Sequence, residues 1–178
     1  MSMVKLERQN YKKNKRVFEE TRDKLFQVLG EDTKIDHVGS TAIKNMWGKN
    51  IIDILIGAKN KDDFEQMKIK IASMGYYLSQ NSCDEIYQFC ASKMGETTSG
   101  DIHLHLVIVD TERYNDFLIL RDYLRENKDE AKNYYQYKKK LLDQGVTDRK
   151  LYRKEKSEYV AKLIKRARDW YDKRRIKV

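Results

Sequence analysis

Two short apolar stretches a helix-length apart constrain this chain more than anything else in it. The first, residues 35–38, runs into Gly39-Ser40; the second is Ile51-Ile52-Asp53-Ile54-Leu55-Ile56. The second stretch is apolar on both faces, which suits a strand at the centre of a sheet covered from both sides. Asp53 is costly to bury there unless a cation or hydrogen-bond donors meet its carboxylate. Glycine at 39 leaves backbone N–H groups open to a ligand, and a helix N-terminus following Ser40 would favour an anion. Gly-Ser followed by a buried carboxylate is the order of a site that handles a phosphate and the cation accompanying it.

The remaining pattern extends this into an α/β chain. Residues 14–29 read as a helix with Val17, Leu25, Val28 and Leu29 on one side, closed by Gly30. Residues 41–47 read as a short helix or turn ending at Gly48. Residues 62–74 repeat at helical period, with Phe64, Met67, Ile71 and Met74 inward, and stop at Gly75. Residues 85–91 and 102–109 read as strands, and the loop 93–100, with two glycines, joins them as a hairpin. From there on the pattern is helical, over about 113–127, 129–143 and 147–174. The expected fold is α/β (α+β): a small mixed sheet flanked by helices over 1–112, with a helical C-terminal extension over 113–178 packed on it as one compact unit.

Composition limits the functions available. The chain has 178 residues, 40% apolar and 37% charged, enough for one core plus an extension. No apolar run reaches membrane-spanning length, and the N-terminus carries no apolar signal segment. Cys83 and Cys90 lack CxxC spacing and read as reduced thiols, so the expected location is cytoplasmic and no membrane partner is expected. The net charge of +9 is uneven: residues 138–178 hold 16 Lys/Arg against 6 Asp/Glu. Such a segment is either a solvated helix face or an attractor of polyanions such as nucleotides or nucleic acid.

The chain has three histidines. His37 precedes Gly39, and Asp101, His103 and His105 alternate onto one face of the later strand, as Ile51, Asp53 and Leu55 do on theirs. All three could converge on one site. Two imidazoles and one carboxylate are donors for zinc, manganese or iron, or simply hydrogen-bonding groups of a polar sheet face. In the helical part, Arg121 and Lys156 interrupt apolar stripes. Each either offsets the charge of a phosphate or forms a structural salt bridge or a snorkelling stem. Lys49, just before the Asp53 strand, either binds phosphate or lies in a solvated turn. Tyr134, Tyr135 and Tyr137 read as helix packing.

The segments HVGSTAIKNMWGKNIIDILIG, HLHLV, FLILRDYLRENKDEAKNYYQYKKKL and YRKEKSEYV resemble, in order and spacing, the GrpB family, over about residues 11–170. That family is similar to the nucleotidyltransferase superfamily, with its polymerase-beta-like fold. The resemblance implies that Gly39 and Ser40 hold phosphate and that Asp53 is the first of the carboxylates that bind divalent cations. It also implies a second carboxylate at 55, where this chain has Leu55, and a third on the later strand, where it offers His103 and His105. The implied cation is magnesium or manganese, with zinc favoured by the imidazoles.

On this reading the protein binds a nucleotide or another phosphorylated small molecule and transfers a nucleotidyl group to a small acceptor. Asp53, His103 and His105 would be the catalytic and metal-binding residues, and Gly39, Ser40, Lys49, Arg121 and Lys156 would hold phosphate. Leu55 motivates a second reading, a non-enzymatic ligand-binding module of the same fold. The basic C-terminal segment motivates a third, a nucleic-acid-binding accessory protein, ranked lowest for want of a reader motif.

Overall fold

A computed structural model describes residues 5–78, 88–93 and 102–175. Helix α1 (Tyr11–Leu29) starts where the Asn10 side chain accepts the Lys13 N–H, and it stops at Gly30, whose φ is +104°. Strands β2 (Lys34–Val38), β4 (Ile52–Ala58), β5 (Tyr77–Leu78), β6 (Gln88–Lys93) and β7 (Ile102–Ile108) form one sheet in the order β2-β4-β7-β6-β5. β4 and β7 are parallel and the other pairs antiparallel. β1 (Glu7–Arg8) and β3 (Trp47–Gly48) pair separately.

Strand alternation divides the sheet into two faces. Ile52, Ile54, Ile56, Leu104 and Leu106 point to one face, where α1 and α2 (Lys61–Ser73) bury them. Asp53 and Leu55 share the other face with His103, His105 and Val107, as the register shows. Helix α3 (Glu112–Glu126) covers part of this second face, burying Val38, Leu55, Val107 and Tyr114 in one cluster with Phe117 and Leu118. α4 (Lys128–Asp143) and α5 (Arg149–Arg175) follow and pack on α3. Leu163 and Ala167 of α5 pack with Tyr123 and Leu124 of α3 against Ile43 and Met46 from the stretch after β2. The helical segment is thus laid against the sheet at the level of Gly39-Ser40.

Three expectations change. Residues 41–47, expected as a short helix or turn, form a turn only at their start. A single 3-10 turn, Ser40–Ala42, is followed by extended chain and β3. The amides of Ser40 and Thr41 still precede the first turn bond, Ala42 N–H to the Gly39 carbonyl, but no helix long enough for a useful dipole follows them. The short strands β1, β3 and β5 were not expected, because two residues carry no periodicity. Third, the charge of the basic C-terminal segment is partly taken up: Arg166 pairs with Glu130 at 2.9 Å, Arg168 with Asp116 at 2.7 Å and also with Glu112, and Arg174 with Glu126. β6 and β7 do pair antiparallel. Cys83, Asp101 and most of the joining loop lie outside the described residues, as does the Cys90 side chain. Among the described residues no helix is long and apolar enough to cross a membrane.

Candidate functional site

The parallel pairing of β4 with β7 sets Asp53 opposite His103 and Leu55 opposite His105. The His105 Nε2–H donates to Asp53 Oδ1 at 3.0 Å, and His103 Nδ1 lies 3.9 Å from the same oxygen. His105 also lies against the Phe117 ring, with centroids 5.0 Å apart. Burial alone would push the Asp53 carboxyl up. The His105 hydrogen bond and the charges of His105, His103 and Lys156 outweigh it and hold the group below the ordinary aspartate value. Asp53 is therefore an ionised carboxylate that keeps partial access to solvent, its side chain 25% exposed.

Glycines bring the backbone close to this carboxylate. Gly39 has φ +71°, and a Cβ there would lie 2.3 Å from Asp53 Oδ2. Gly48 plays the same part for the serine, since a Cβ on it would lie 2.3 Å from Ser40 Oγ. Gly39-Ser40, Asp53 and Gly48 therefore touch in sequence. The second glycine was not expected to matter; its signal was only a glycine next to a tryptophan.

The three donors do not suit a divalent cation. Asp53 Oδ1 already accepts from His105, and Oδ2 is packed against Gly39. Among the described residues no three His, Cys, Asp or Glu donors are grouped as metal ligands. The position of a second carboxylate is Leu55, fully buried under α3. Magnesium and manganese prefer oxygen ligands, and among the described residues Asp53 is the carboxylate that meets His103 and His105. The expected metal set of Asp53, His103 and His105 is thus, in this structure, a carboxylate–imidazole pair with a second imidazole beside it.

His37 does not join that group. Its register partner is Ile54, so it points to the opposite face, where it stacks on Phe18 at 4.8 Å. Its Nε2 and the Thr41 hydroxyl lie 3.0 Å apart. Burial, helped by Arg125 and Arg121 against the pull of Asp53, lowers its pKa to about 4. Arg121 takes the structural alternative. Its guanidinium donates to Asp36 at 2.7 Å and to both oxygens of Asp122 at 2.7 and 3.1 Å. The structure thus gives Arg121 two carboxylate partners within the chain.

Lysines line the other wall. Lys156, on α5, is half-buried, and among the described residues it makes no hydrogen bond or ion pair. Burial and the nearby Arg153 lower its pKa, and the attraction of Asp53 opposes them. Lys49 lies over the Tyr152 ring at 4.6 Å. A third lysine was missed by the sequence reading: Lys138, on α4, is 4% exposed. Its ammonium donates to the Trp47 carbonyl and sits 4.5 Å over the Tyr134 ring. Burial first, then repulsion from Lys156 and Lys49, pushes its pKa down to about 7. In the sequence it stands in a run of three lysines, which reads as solvated surface. Only Leu141 three residues on, buried with it, hinted at an inward face. Tyr134, Tyr135 and Tyr137 pack as expected, on Tyr159 and Trp47.

Comparison with known proteins agrees with this layout. The chain is 33% identical to the glutamate-rich protein GrpB of Alkalihalophilus pseudofirmus over 153 residues, covering 84% of this chain and 88% of that protein. A UPF0157 protein of Pseudomonas aeruginosa is 31% identical over 75% of this chain and 54% of its own length. The crystal structure of GrpB from Enterococcus faecalis superposes with a TM-score of 0.79 and 25% identity, covering 94% of this chain and 99% of that one. A structure of the Cid1 poly(U) polymerase matches 66% of this chain and 37% of its own with a TM-score of 0.45 and 11% identity, which is too distant to carry a substrate or a reaction across. With a family model matching residues 4–166 as well, the chain belongs to the GrpB protein family.

Proposed function

We propose that this protein binds a nucleotide or another phosphorylated small molecule in the recess between Gly39-Ser40, Asp53 and Lys156, with Lys49 at its side. The observation that carries the proposal is Lys156. A half-buried ammonium attracted by Asp53, with no ion pair among the described residues, acts on the same carboxylate against which Gly39 packs without room for a Cβ. An unpaired cation in such a setting gains from an anionic ligand. Binding without turnover is the reading that the geometry supports best, because Leu55 fills the place of a second carboxylate and Asp53 is engaged by His105.

Nucleotidyl transfer to a small acceptor is the second reading, and the Asp53–His105 pair favours it. An imidazole oriented by a carboxylate can take the proton of an acceptor hydroxyl while that oxygen attacks the α-phosphorus and pyrophosphate departs. Calorimetric titration with ATP, GTP, CTP and UTP, each alone and with Mg²⁺ or Mn²⁺, tests both. Heat and thermal stabilisation with at least one nucleotide, weakened by Lys156→Met, is the expected result. Absence of both for every nucleotide refutes the proposal, and a nucleotidylated acceptor would move the second reading ahead of the first.

A further inference from the structure

The turn that carries Gly39-Ser40 is held weakly by its own backbone. Its bonds run from the Ala42 N–H to the Gly39 carbonyl, from the Ile43 N–H to the Ser40 carbonyl and from the Met46 N–H to the Ile43 carbonyl. They are 3.3, 3.3 and 3.4 Å long, beyond the ordinary range of about 2.7–3.2 Å. Gly39 stands at φ +71°, against Asp53, with no room for a Cβ. A glycine is the residue whose freedom costs most to remove, so contacts from outside the turn must fix it there.

His37 and Thr41 supply such a contact. They bracket Gly39-Ser40 in sequence, and both are shut from solvent, at 7% and 0% exposure. The Thr41 hydroxyl donates to the Ile51 carbonyl at 3.1 Å, and His37 Nε2 lies 3.0 Å from the same hydroxyl oxygen. A hydroxyl has one hydrogen. With that hydrogen on Ile51, the imidazole is the donor, and the proton of the neutral ring sits on Nε2. The stack on Phe18, 10° from parallel, sets the plane of the ring. The relay therefore starts near the end of β2, crosses the turn, and ends on the residue before β4, two positions ahead of Asp53. Its three anchors enclose the Gly39-Ser40 turn and join it to the strand of the carboxylate it meets.

We propose that His37 and Thr41 are positioning residues, which hold the Gly39-Ser40 turn against Asp53 in the conformation that the ligand meets. The inference rests on the phosphate reading above and deepens it, because it assigns the order of that turn to a buried pair on its inner side. Thr41 is fully buried and His37 faces away from Asp53, so neither is placed to touch the ligand. They act through the turn, and losing either one breaks the same relay.

The test uses the full chain and two readouts. Thr41→Val keeps the shape of the side chain and removes the hydroxyl; His37→Phe keeps a ring to stack on Phe18 and removes the donor. Amide hydrogen exchange without ligand should quicken at residues 40–43 by at least about tenfold, as the loss of one buried hydrogen bond would give. That rise should exceed any at Ile54 and Ile56, whose amides report the loss of global stability. Calorimetry with whichever of ATP, GTP, CTP and UTP binds the natural chain most tightly, at a temperature where each variant is folded, should show affinity weakened at least about tenfold. Thr41→Ser, which restores the hydroxyl, should recover both readouts. The double variant should bind no more weakly than the weaker single one, because both break one relay. Thr33→Val is the control: it deletes another buried hydroxyl, which donates to the Leu29 carbonyl at 3.2 Å, and should leave affinity unchanged. Exchange at 40–43 that rises no more than at Ile54 and Ile56 overturns the proposal, and so does a loosened turn with unchanged affinity or a loss that Thr41→Ser does not recover. If the natural chain binds no nucleotide, the phosphate reading falls, and the exchange readout alone decides whether the pair orders the turn.

Discussion

Replacing Lys138 with methionine should stabilise the protein at pH 6 and destabilise it at pH 10. The side chain is 4% exposed, and its pKa falls from 10.5 to about 7. At about 1.4 kcal/mol per pH unit, charging Lys138 in the folded chain costs about 5 kcal/mol more than charging it in the unfolded chain. Between pH 7 and 10.5 the folded chain binds fewer protons than the unfolded one, so the contribution of this residue to stability rises with pH over that window. Below pH 7 the whole cost is present, and above 10.5 it is gone. Methionine fills a similar volume without the charge. It also loses the hydrogen bond to the Trp47 carbonyl, which costs about 1–3 kcal/mol if that acceptor stays buried and unpaired. The difference is a net gain of about 2–4 kcal/mol for Lys138→Met at pH 6 and, with about 1 kcal/mol of the cost still present, a net loss of about 0–2 kcal/mol at pH 10. Urea unfolding of both proteins, followed by circular dichroism at pH 6, 7.5, 9 and 10, reads this, because titrating groups that do not interact with Lys138 cancel in the difference. A stability difference that does not vary with pH, or a variant less stable throughout, would refute the claim that a charged amine is forced into this position.

Three further substitutions separate structural from ligand-binding roles. Arg121→Met should cost about 1–3 kcal/mol in urea unfolding, because it strands the Asp36 and Asp122 carboxylates, yet leave nucleotide affinity in calorimetry unchanged; weakened binding would return Arg121 to the ligand site. Gly39→Ala puts a methyl group 2.3 Å from Asp53 Oδ2 at φ +71° and should cost at least about 1–3 kcal/mol together with ligand binding. Gly30→Ala, at φ +104° but with open space around it, should retain binding. His37 titrates at about 4 in the folded chain against 6.5 unfolded. Its contribution is therefore full above pH 6.5 and lost as the pH falls towards 4, by about 3 kcal/mol in all. His37→Phe should flatten the acid limb of the stability curve by that amount, and an unchanged acid limb would place the titration elsewhere.

Much of this layout was legible in the sequence because it rests on periodicity. The alternation of Ile52, Asp53, Ile54 and Leu55, and of His103, Leu104 and His105, fixed which side chains share a face, and the glycine–serine pair marked where the backbone must come close. Periodicity failed where it had too few residues to act on, at β1, β3 and the turn after Ser40. It also could not assign faces between strands. His37 sits one residue from Val38, which faces Asp53, so a single step of register sends it to the other side of the sheet. Arg121 and Lys156 looked alike, as basic residues on apolar stripes. Only the three-dimensional arrangement shows that Asp36 reaches the first and that no carboxylate among the described residues pairs with the second. Lys138 was hidden by its company, since a lysine between Tyr137 and two more lysines gives no sign of pointing inward.

The two halves of the recess carry opposite electrostatic burdens, and that opposition is the strongest reason to regard it as a site. On the sheet side, Asp53 is ionised and met by imidazoles rather than by a second carboxylate. On the helical side, ammonium groups on α4, α5 and the β3 turn face one another with Asp53 as the anion that attracts Lys156. The place where the resemblance implies a second carboxylate is a leucine sealed beneath Tyr114 and Phe117. Stability alone would favour apolar side chains in place of the buried lysine, as the Lys138→Met comparison would show. On the reading proposed above, a cost of this size, close to a glycine-cleared backbone, is what a site completed by an anion requires. Glycine contacts set the geometry, His105 holds the Asp53 carboxylate in place, and the proposed ligand would meet its positive charge on the helices.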